Sequence, residues 1–533
     1  VILTNLPPKT PGKLRVVVID RDTGRPVRGA SVVVGSGAPV ATGADGTAES
    51  DPLPGGVHVF HTDYSYVSIL GAALDDYLVH LTPVEKKAGG YRAHFDFSRF
   101  RQLMREGLAG CSVVDALDLG VSAFWGEPLL THIKWEPNEY YPYGSDEWSV
   151  VGVGVGINIW DGGEGNAVKN SFAKCARGYR SAWAFGLDIN GTTLTDIMAQ
   201  DISSYVKVPR HAFAPFFATE TMPLVPTPTD DSVYKKPISK KPFIPDYEHF
   251  PELDLKFRMP FMIDTDVLLP LQPKSGKKFM REVLAFEGVY LPQMGLVPLA
   301  FAGNRDWSDP LDGVVDERNT ILGDLESGHI RFKAAPPYRG LEGHGFMTVF
   351  MALEPTGANT GATIDDPPSP VSATMRMTDT IEPFVDLSQA PFLEFAEGTL
   401  FGRTAREIRP ERVEGASLLR FAIGLSYDRS WHIYAPPGSA EPIPLPSVPA
   451  GLPDTTADSG MTVHAASLRD GLTIDDLFST RSAVHPDDML PIVERVSSQP
   501  CFKRFLPSDR WYEDKCLGSF THPACEPSCE LLK

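Results

Sequence analysis

No stretch of this 533-residue chain is apolar for long enough to span a bilayer, which takes roughly 18 consecutive apolar residues. Basic charge is scarce as well. Lys and Arg number 49 against 68 Asp and Glu, a net charge of −19 with a pI near 5.1. A basic face for phosphates is therefore not expected, and nucleic acid is excluded as a partner. Local catalytic signatures are missing: no H-E-x-x-H, G-x-S-x-G or C-x-x-C occurs. That removes the sequence motifs of zinc peptidases, α/β-hydrolases and dithiol redox enzymes. Triads assembled in space, and the paired carboxylates of glycoside hydrolysis, leave no local trace and lie outside this exclusion. No repeat of fixed period is present either, so a propeller has little support against stacked sandwiches.

Proline and glycine are plentiful, 48 and 47 residues, and the apolar fraction of 42% suffices for sizeable cores. This composition points to many short strands joined by turns rather than to a helical protein. The length suggests two to four domains. The chain begins at Val1 without a signal peptide. A processed mature form is expected, with an export signal or a lipid-bearing cysteine upstream.

The first eighty or so residues carry the clearest pattern. Residues 14–34 read as strand, tight turn, strand, and 40–48 with 53–60 read as a second pair. Asp45-Gly46 supplies the positive φ of a tight hairpin. Period-two alternation places Val32 and Val34 on one face and Ser31 and Val33 on the other. The pattern of Gly24, Pro26, Val27, Gly29 and Ala30, then Thr42, Asp45 and Gly46, then Leu53, Pro54 and Gly56, resembles the carboxypeptidase regulatory-like domain. The resemblance covers about one sixth of the chain. It implies a transthyretin-like β-sandwich of the kind found mostly on exported and cell-surface proteins, where it supports or spaces another domain and does no chemistry. His61-Thr-Asp-Tyr64 stands where that family usually has a Gly-Tyr.

The expected fold is mainly β: the N-terminal sandwich at 1–87, a β-rich domain at 88–207, a Pro-rich extended arm at 208–255, a second β-rich domain at 256–495 and a Cys-rich tail at 496–533. Strand signals recur at 113–124, 129–135, 148–160, 182–189, 261–269, 281–290, 296–301, 346–353, 419–425 and 431–434. A short helix is predicted over Ser98–Gly107, and Asn190-Gly191 predicts a hairpin between 182–189 and 192–197. The arm holds nine prolines between 209 and 251, which bars a helix or a central strand. A second Pro-rich stretch runs from Pro436 to Pro453.

Six cysteines occur: Cys111, Cys175, and a terminal group of Cys501, Cys516, Cys525 and Cys529. The even count and turn-rich setting read as disulfides of an oxidising compartment. Cys111–Cys175 with two bridges in the tail is the expected pairing, although sequence alone does not fix it. A zinc site of Cys516, His522, Cys525 and Cys529 lacks paired knuckles, and buried reduced thiols are the third reading. Trp125, Trp135, Tyr140, Tyr141, Tyr143 and Trp148 crowd a loop-like region among acidic residues, as rings that stack on sugars do. The competing reading is a loop whose rings fill a small core. Asp161, Glu164 and Asn166 could furnish oxygens to a calcium cofactor or form an ordinary acidic turn. Gly152-Val-Gly-Val-Gly156 has the wrong spacing for a nucleotide loop and reads as close packing.

These features predict a non-catalytic structural or adhesive protein, extracellular or on the outer cell surface. It would be a subunit of an assembly or a surface lipoprotein, contacting its own kind or protein partners through the Pro-rich arm. The alternative is a secreted carbohydrate-binding or carbohydrate-active protein with polysaccharide as partner.

Overall fold

The computed structural model describes residues 7–84 except 22, then strands between 89 and 353, then 371–500 apart from short loops and residues 483–490. Between 89 and 264 the description is of the backbone. The architecture is mainly β, with several sheets and no propeller among the described residues.

The N-terminal segment folds as β1 (Leu14–Asp20), β2 (Ser31–Val34), β3 (Val40–Ala41), β4 (Thr47–Ser50), β5 (Val57–Phe60), β6 (Tyr66–Ile69) and β7 (Asp76–Leu81). One small sheet has the order β4-β1-β7, with β1 antiparallel to β4 and parallel to β7. Across from it, β3, β2, β5 and β6 lie side by side in that order, each antiparallel to the next. Val16, Val18 and Val79 of the first sheet meet Val32, Val34, Val59 and Ile69 of the second, so this unit is a two-layer sandwich.

Its turns are held by the residues that the sequence marks. Asp45 Oδ1 accepts from Thr47 N at 3.0 Å and Thr47 Oγ1 at 2.8 Å. Gly46 follows at φ 73°, where a Cβ would stand 2.4 Å from the Val18 carbonyl oxygen. Thr42 Oγ1 donates to Val27 O at 2.6 Å and accepts from Ala30 N at 2.9 Å, tying the second turn to the first. At the His61–Tyr64 position, the Tyr64 hydroxyl donates to Asp20 Oδ2 at 2.9 Å.

A second sheet contains β8 (Gly89–Asp96), β9 (Glu106–Cys111), β10 (Thr131–Pro137), β11 (Glu147–Gly154), β12 (Phe172–Cys175), β13 (Arg180–Leu187), β14 (Phe216–Met222) and β15 (Glu252–Lys256). Its order is β12-β8-β11-β10-β9-β13-β14, with β15 parallel to β8. Two sequence expectations change here. Glu106 and Gly107, expected at the end of a helix, open strand β9. Both edges of β13 are occupied, by β9 and β14, and the Asn-Gly turn with its expected partner at 192–197 lies outside the described residues. The Pro-rich arm contains a strand after all: β14 is the proline-free heptapeptide between Pro215 and Pro223, and it ends the path of the sheet. An edge position is where flanking prolines cost no ladder bond. The arm's other end enters β15 next to β14, so both ends of the arm are anchored in one sheet.

The remaining strands are β16 (Ile263–Leu268), β17 (Lys274–Ser275), β18 (Lys278–Phe279), β19 (Glu282–Leu291), β20 (Gly295–Asn304), β21 (His329–Ala334), β22 (Phe346–Leu353) and β23 (Val371–Thr378). They continue with β24 (Phe384–Asp386), β25 (Leu400–Gly402), β26 (Glu407–Arg409), β27 (Leu418–Ser426), β28 (Arg429–Ala435), β29 (Ile443–Pro444), β30 (Met461–Leu468) and β31 (Val493–Pro500). A one-turn helix α1 (Ile474–Phe478) follows β30, with the Asp476 carboxylate accepting from Thr473 N and Oγ1.

One sheet dominates the molecule. It has twelve strands in the order β20-β19-β22-β23-β31-β30-β27-β28-β6-β5-β2-β3. The N-terminal sandwich thus shares a sheet with the C-terminal strands, and the sheet crosses the boundary expected at residue 87. All its neighbours are antiparallel except β28 and β6. Both faces are covered. One carries Val32, Val34, Leu418, Tyr434 and Ala466 against the small β1 sheet and the α1 side chains Leu477 and Phe478. The other carries Val33, Tyr66, Leu419, Phe421, Trp431 and Val463 against Phe401, Ile408 and Ile443 of a sheet ordered β25-β26-β29. The alternation expected for Val32, Val34 and Val33 is therefore realised as membership of two cores.

Candidate functional site: the seam between the N-terminal sandwich and the body

The sandwich meets the body where β6 lies parallel to β28, in the register Tyr66↔Trp431, Val67↔His432, Ser68↔Ile433 and Ile69↔Tyr434. Phe60, Tyr66 and Trp431 pack edge-on with centroids 5.1 to 6.3 Å apart, the geometry that ring quadrupoles favour. The Arg429 guanidinium lies 5.5 Å from the Tyr66 ring centre and donates to the Thr62 carbonyl. The Tyr66 hydroxyl donates to Pro453 O at 3.1 Å, and burial pushes its pKa up. Farther along the junction, Ala73 N donates to Asp475 Oδ1 at 2.9 Å, and Leu70 N to Tyr434 O at 2.9 Å.

A hydrogen-bond relay crosses the seam. Trp431 Nε1 donates to Ser68 Oγ at 2.9 Å, and Ser68 Oγ lies 2.9 Å from His58 Nδ1. Indole nitrogen only donates, so Ser68 accepts from Trp431, and with no other acceptor for it among the described residues the Ser68 hydroxyl donates to His58 Nδ1. That ring nitrogen is then the acceptor, and the imidazole is neutral. Burial pushes the His58 pKa down to about 4, against a hydrogen bond to the Gly55 main chain.

Three other buried polar groups stand out. In the middle of the large sheet, Arg420 Nη2 donates to His464 Nε2 at 3.2 Å, and His464 Nδ1 lies 2.7 Å from Ser498 Oγ. Guanidinium has no acceptor, which fixes Nε2 as the unprotonated nitrogen. Arg15 forks onto Asp76, Nε to Oδ1 at 2.8 Å and Nη2 to Oδ2 at 2.5 Å, and Nη1 reaches Pro7 O at 2.6 Å. The Asp76 hydrogen bond, with its charge, raises the Arg15 pKa against burial. Glu287 on β19 is 1% exposed, with the Thr265 hydroxyl 3.5 Å away. Burial pushes its pKa up to about 8, and the charge of Glu382 adds to the rise.

Serine beside histidine invites comparison with a nucleophile and its base, but the charges are reversed. A catalytic imidazole is oriented by a carboxylate that stabilises imidazolium. Here a guanidinium occupies that place, and Arg420, His464 and Ser498 are each 2% exposed. The row locks strands together rather than activating a hydroxyl.

Of the residues that the sequence singles out, Trp135 on β10 stands opposite Val150, and Trp148 on β11 opposite Pro137, so the two occupy one hairpin. Trp125, Tyr140, Tyr141 and Tyr143 lie outside the described residues, as do Asp161, Glu164, Asn166, Cys501, Cys516, Cys525 and Cys529. Cys111 ends β9 opposite Ala182, and Cys175 ends β12 opposite Gly89. Among the described residues, no group of three or more His, Cys, Asp or Glu is placed to hold a metal, and no helix is long and apolar enough to cross a membrane. Sequence reasoning gave His58 only a place in the strand-like run 53–60. Nothing local in the sequence marks Ser68 or Trp431 as its partners.

No protein-family model matches this chain, and no curated protein does. Solved structures align weakly. An adhesin candidate from Bacteroides ovatus aligns at TM-score 0.13 and 8% identity over 58% of this chain and 93% of its own. The major pilin subunit of Bacillus cereus gives TM-score 0.12 at 8% identity over 71% and 98%. A tetra-tandem repeat from the extending region of a large adhesion protein gives TM-score 0.10 at 9% identity over 86% and 95%. At these scores the alignments carry no argument about this chain.

Proposed function

We propose that the chain is a non-catalytic structural or adhesive protein of the cell surface or extracellular space, built to act as a stiff subunit of an assembly. In this reading the N-terminal sandwich is the carboxypeptidase regulatory-like module that its turn residues suggest. The observation that supports it best is the seam. A module serving only as a spacer keeps its own sheet edges, whereas here β6 donates its edge to β28 and buried side chains from both sides cross the join. Such a join passes force through main-chain hydrogen bonds and a shared core. The acidic balance of the chain suits a soluble surface subunit. Partners are expected through the Pro-rich arm, since extended segments lose little entropy on docking.

The test is the solution mass of the native chain by light scattering at micromolar concentration, with and without calcium. A mass above the 58.2 kDa of one chain is expected. Deleting residues 224–250, which spares β14 and β15, should return the protein to one chain while leaving it folded. A monomer in every condition would overturn the assembly reading, and a shift of its tryptophan fluorescence by polysaccharides would favour the sugar-binding alternative.

A further inference from the structure

The seam is held by groups that tolerate only one protonation state. Ser68 is fully buried and sits between two rings, and among the described residues its hydroxyl has only Trp431 and His58 as partners. A second proton on His58 would aim an N–H at an oxygen whose own hydrogen already points back. The hydroxyl could turn to accept from both rings only by leaving its proton without an acceptor inside the core. The groups facing the ring from each neighbouring strand are uncharged: Val33 opposite on β2, Ser68 opposite on β6, Trp431 from β28 and the Gly55 main chain. The charged groups described in this layer are committed elsewhere, Arg429 to Thr62 and the Tyr66 ring, and Arg406 to Asp454 at 2.7 Å. His432 and His464 alternate onto the opposite face of the sheet. An imidazolium at position 58 would thus be buried without a counter-ion among these neighbours, a costly state.

The seam is also the natural place to part. It is the one parallel pair of the large sheet and only four residue pairs long, and parallel pairing is slightly weaker per residue. The sandwich behind it retains two sheets facing each other.

We propose that the β6–β28 seam is an acid-operated latch, in which protonation of His58 breaks the Ser68–Trp431 tie and lets β6 separate from β28. The opened state takes up the proton at the ordinary histidine pKa near 6.5, the closed state only near 4. Opening is therefore favoured progressively as pH falls from about 6.5 to about 4, by up to about 300-fold, each pKa unit being a factor of ten.

Hydrogen exchange of the full chain, read by mass spectrometry from pH 7 to pH 4 and corrected for intrinsic rates, tests this. Segments 57–69 and 429–435 should lose protection across that range while β22 and β23 keep theirs. His58→Gln should abolish the step. Ser68→Asp still accepts from Trp431 and gives a protonated His58 a counter-ion with no hydrogen of its own, so it should shrink the step, an effect that lost packing alone would not produce. Should His58→Gln fold poorly, Ser68→Asp decides alone. Unchanged protection of β6 and β28 down to pH 4 would overturn the latch. So would equal losses in wild type and variants, or a loss shared by the whole sheet.

Discussion

Replacing Glu287 by Gln should strengthen the sheet, and by an amount that depends on pH. The wild-type carboxyl is 1% exposed on β19, opposite Thr348 on β22. Its one described hydrogen-bond partner is Thr265 at 3.5 Å, long for such a bond. Burial first, and the Glu382 charge second, raise its pKa from an ordinary 4.5 to about 8. The folded state therefore holds the proton that the unfolded state releases, and between pH 4.5 and 8 stability falls as pH rises. At 1.36 kcal/mol per pKa unit, the carboxyl costs about 3 kcal/mol at pH 7 and about 5 kcal/mol above pH 8. Glutamine has the same shape and cannot ionise. Native-state hydrogen exchange of β19 and β22 is the assay, since global unfolding of a chain this large is not two-state. Glu287→Gln should change protection little at pH 4.5 and raise it by up to about 300-fold at pH 7. An equal change at both pH values, or a loss of protection at pH 7, would refute the view that this carboxyl is held neutral.

Asp76→Asn should destabilise the N-terminal sandwich by about 3–5 kcal/mol, because it leaves the buried Arg15 guanidinium without its charge partner; thermal unfolding that shifts by less than a degree would place the pair in a wetter setting. Gly46→Ala should cost about 1–3 kcal/mol from the left-handed φ alone, with more from the 2.4 Å approach of its Cβ to the Val18 carbonyl; unchanged urea sensitivity of β1 and β4 would show that the turn rearranges freely.

The strands richest in β-branched and aromatic residues were legible in the sequence. The expected 346–353 coincides with β22, and 281–290 and 261–269 fall on β19 and β16 within two residues at each end. Among the strands that went unread are β23, β30 and β31, with the sequences VSATMRMT, MTVHAASL and VERVSSQP. They are central strands packed on both sides, and their Ser, Thr and Ala fit between covered faces. Period-two alternation is a signal of one wet face, so it is weak where neither face is wet. The parallel pairing of β6 with β28 joins residues more than 360 positions apart, and no local pattern encodes such a distance. The turn chemistry at Thr42, Asp45 and Gly46 was legible for the opposite reason. Each of those residues acts within a few positions or on one neighbouring turn.

A sheet that is apolar on both faces has a register problem that its polar residues address. Slipping a strand by one residue exchanges its two faces, and where both faces are apolar the exchange costs little. A buried polar pair changes that cost. If β30 slipped by one residue against β27 and β31, His464 would leave Arg420 and Ser498 for the face that holds Phe421 and Val463. Three polar groups would then be stranded in apolar surroundings, at about 1–3 kcal/mol each. The same holds at the seam, where Ser68 and His58 are polar positions on a face otherwise given to Phe60, Tyr66 and Trp431. The groups that set register are thus ionisable or tied to ionisable ones. A sheet that uses a neutral histidine as a register key takes on an acid sensitivity with it, at the junction where its two parts meet.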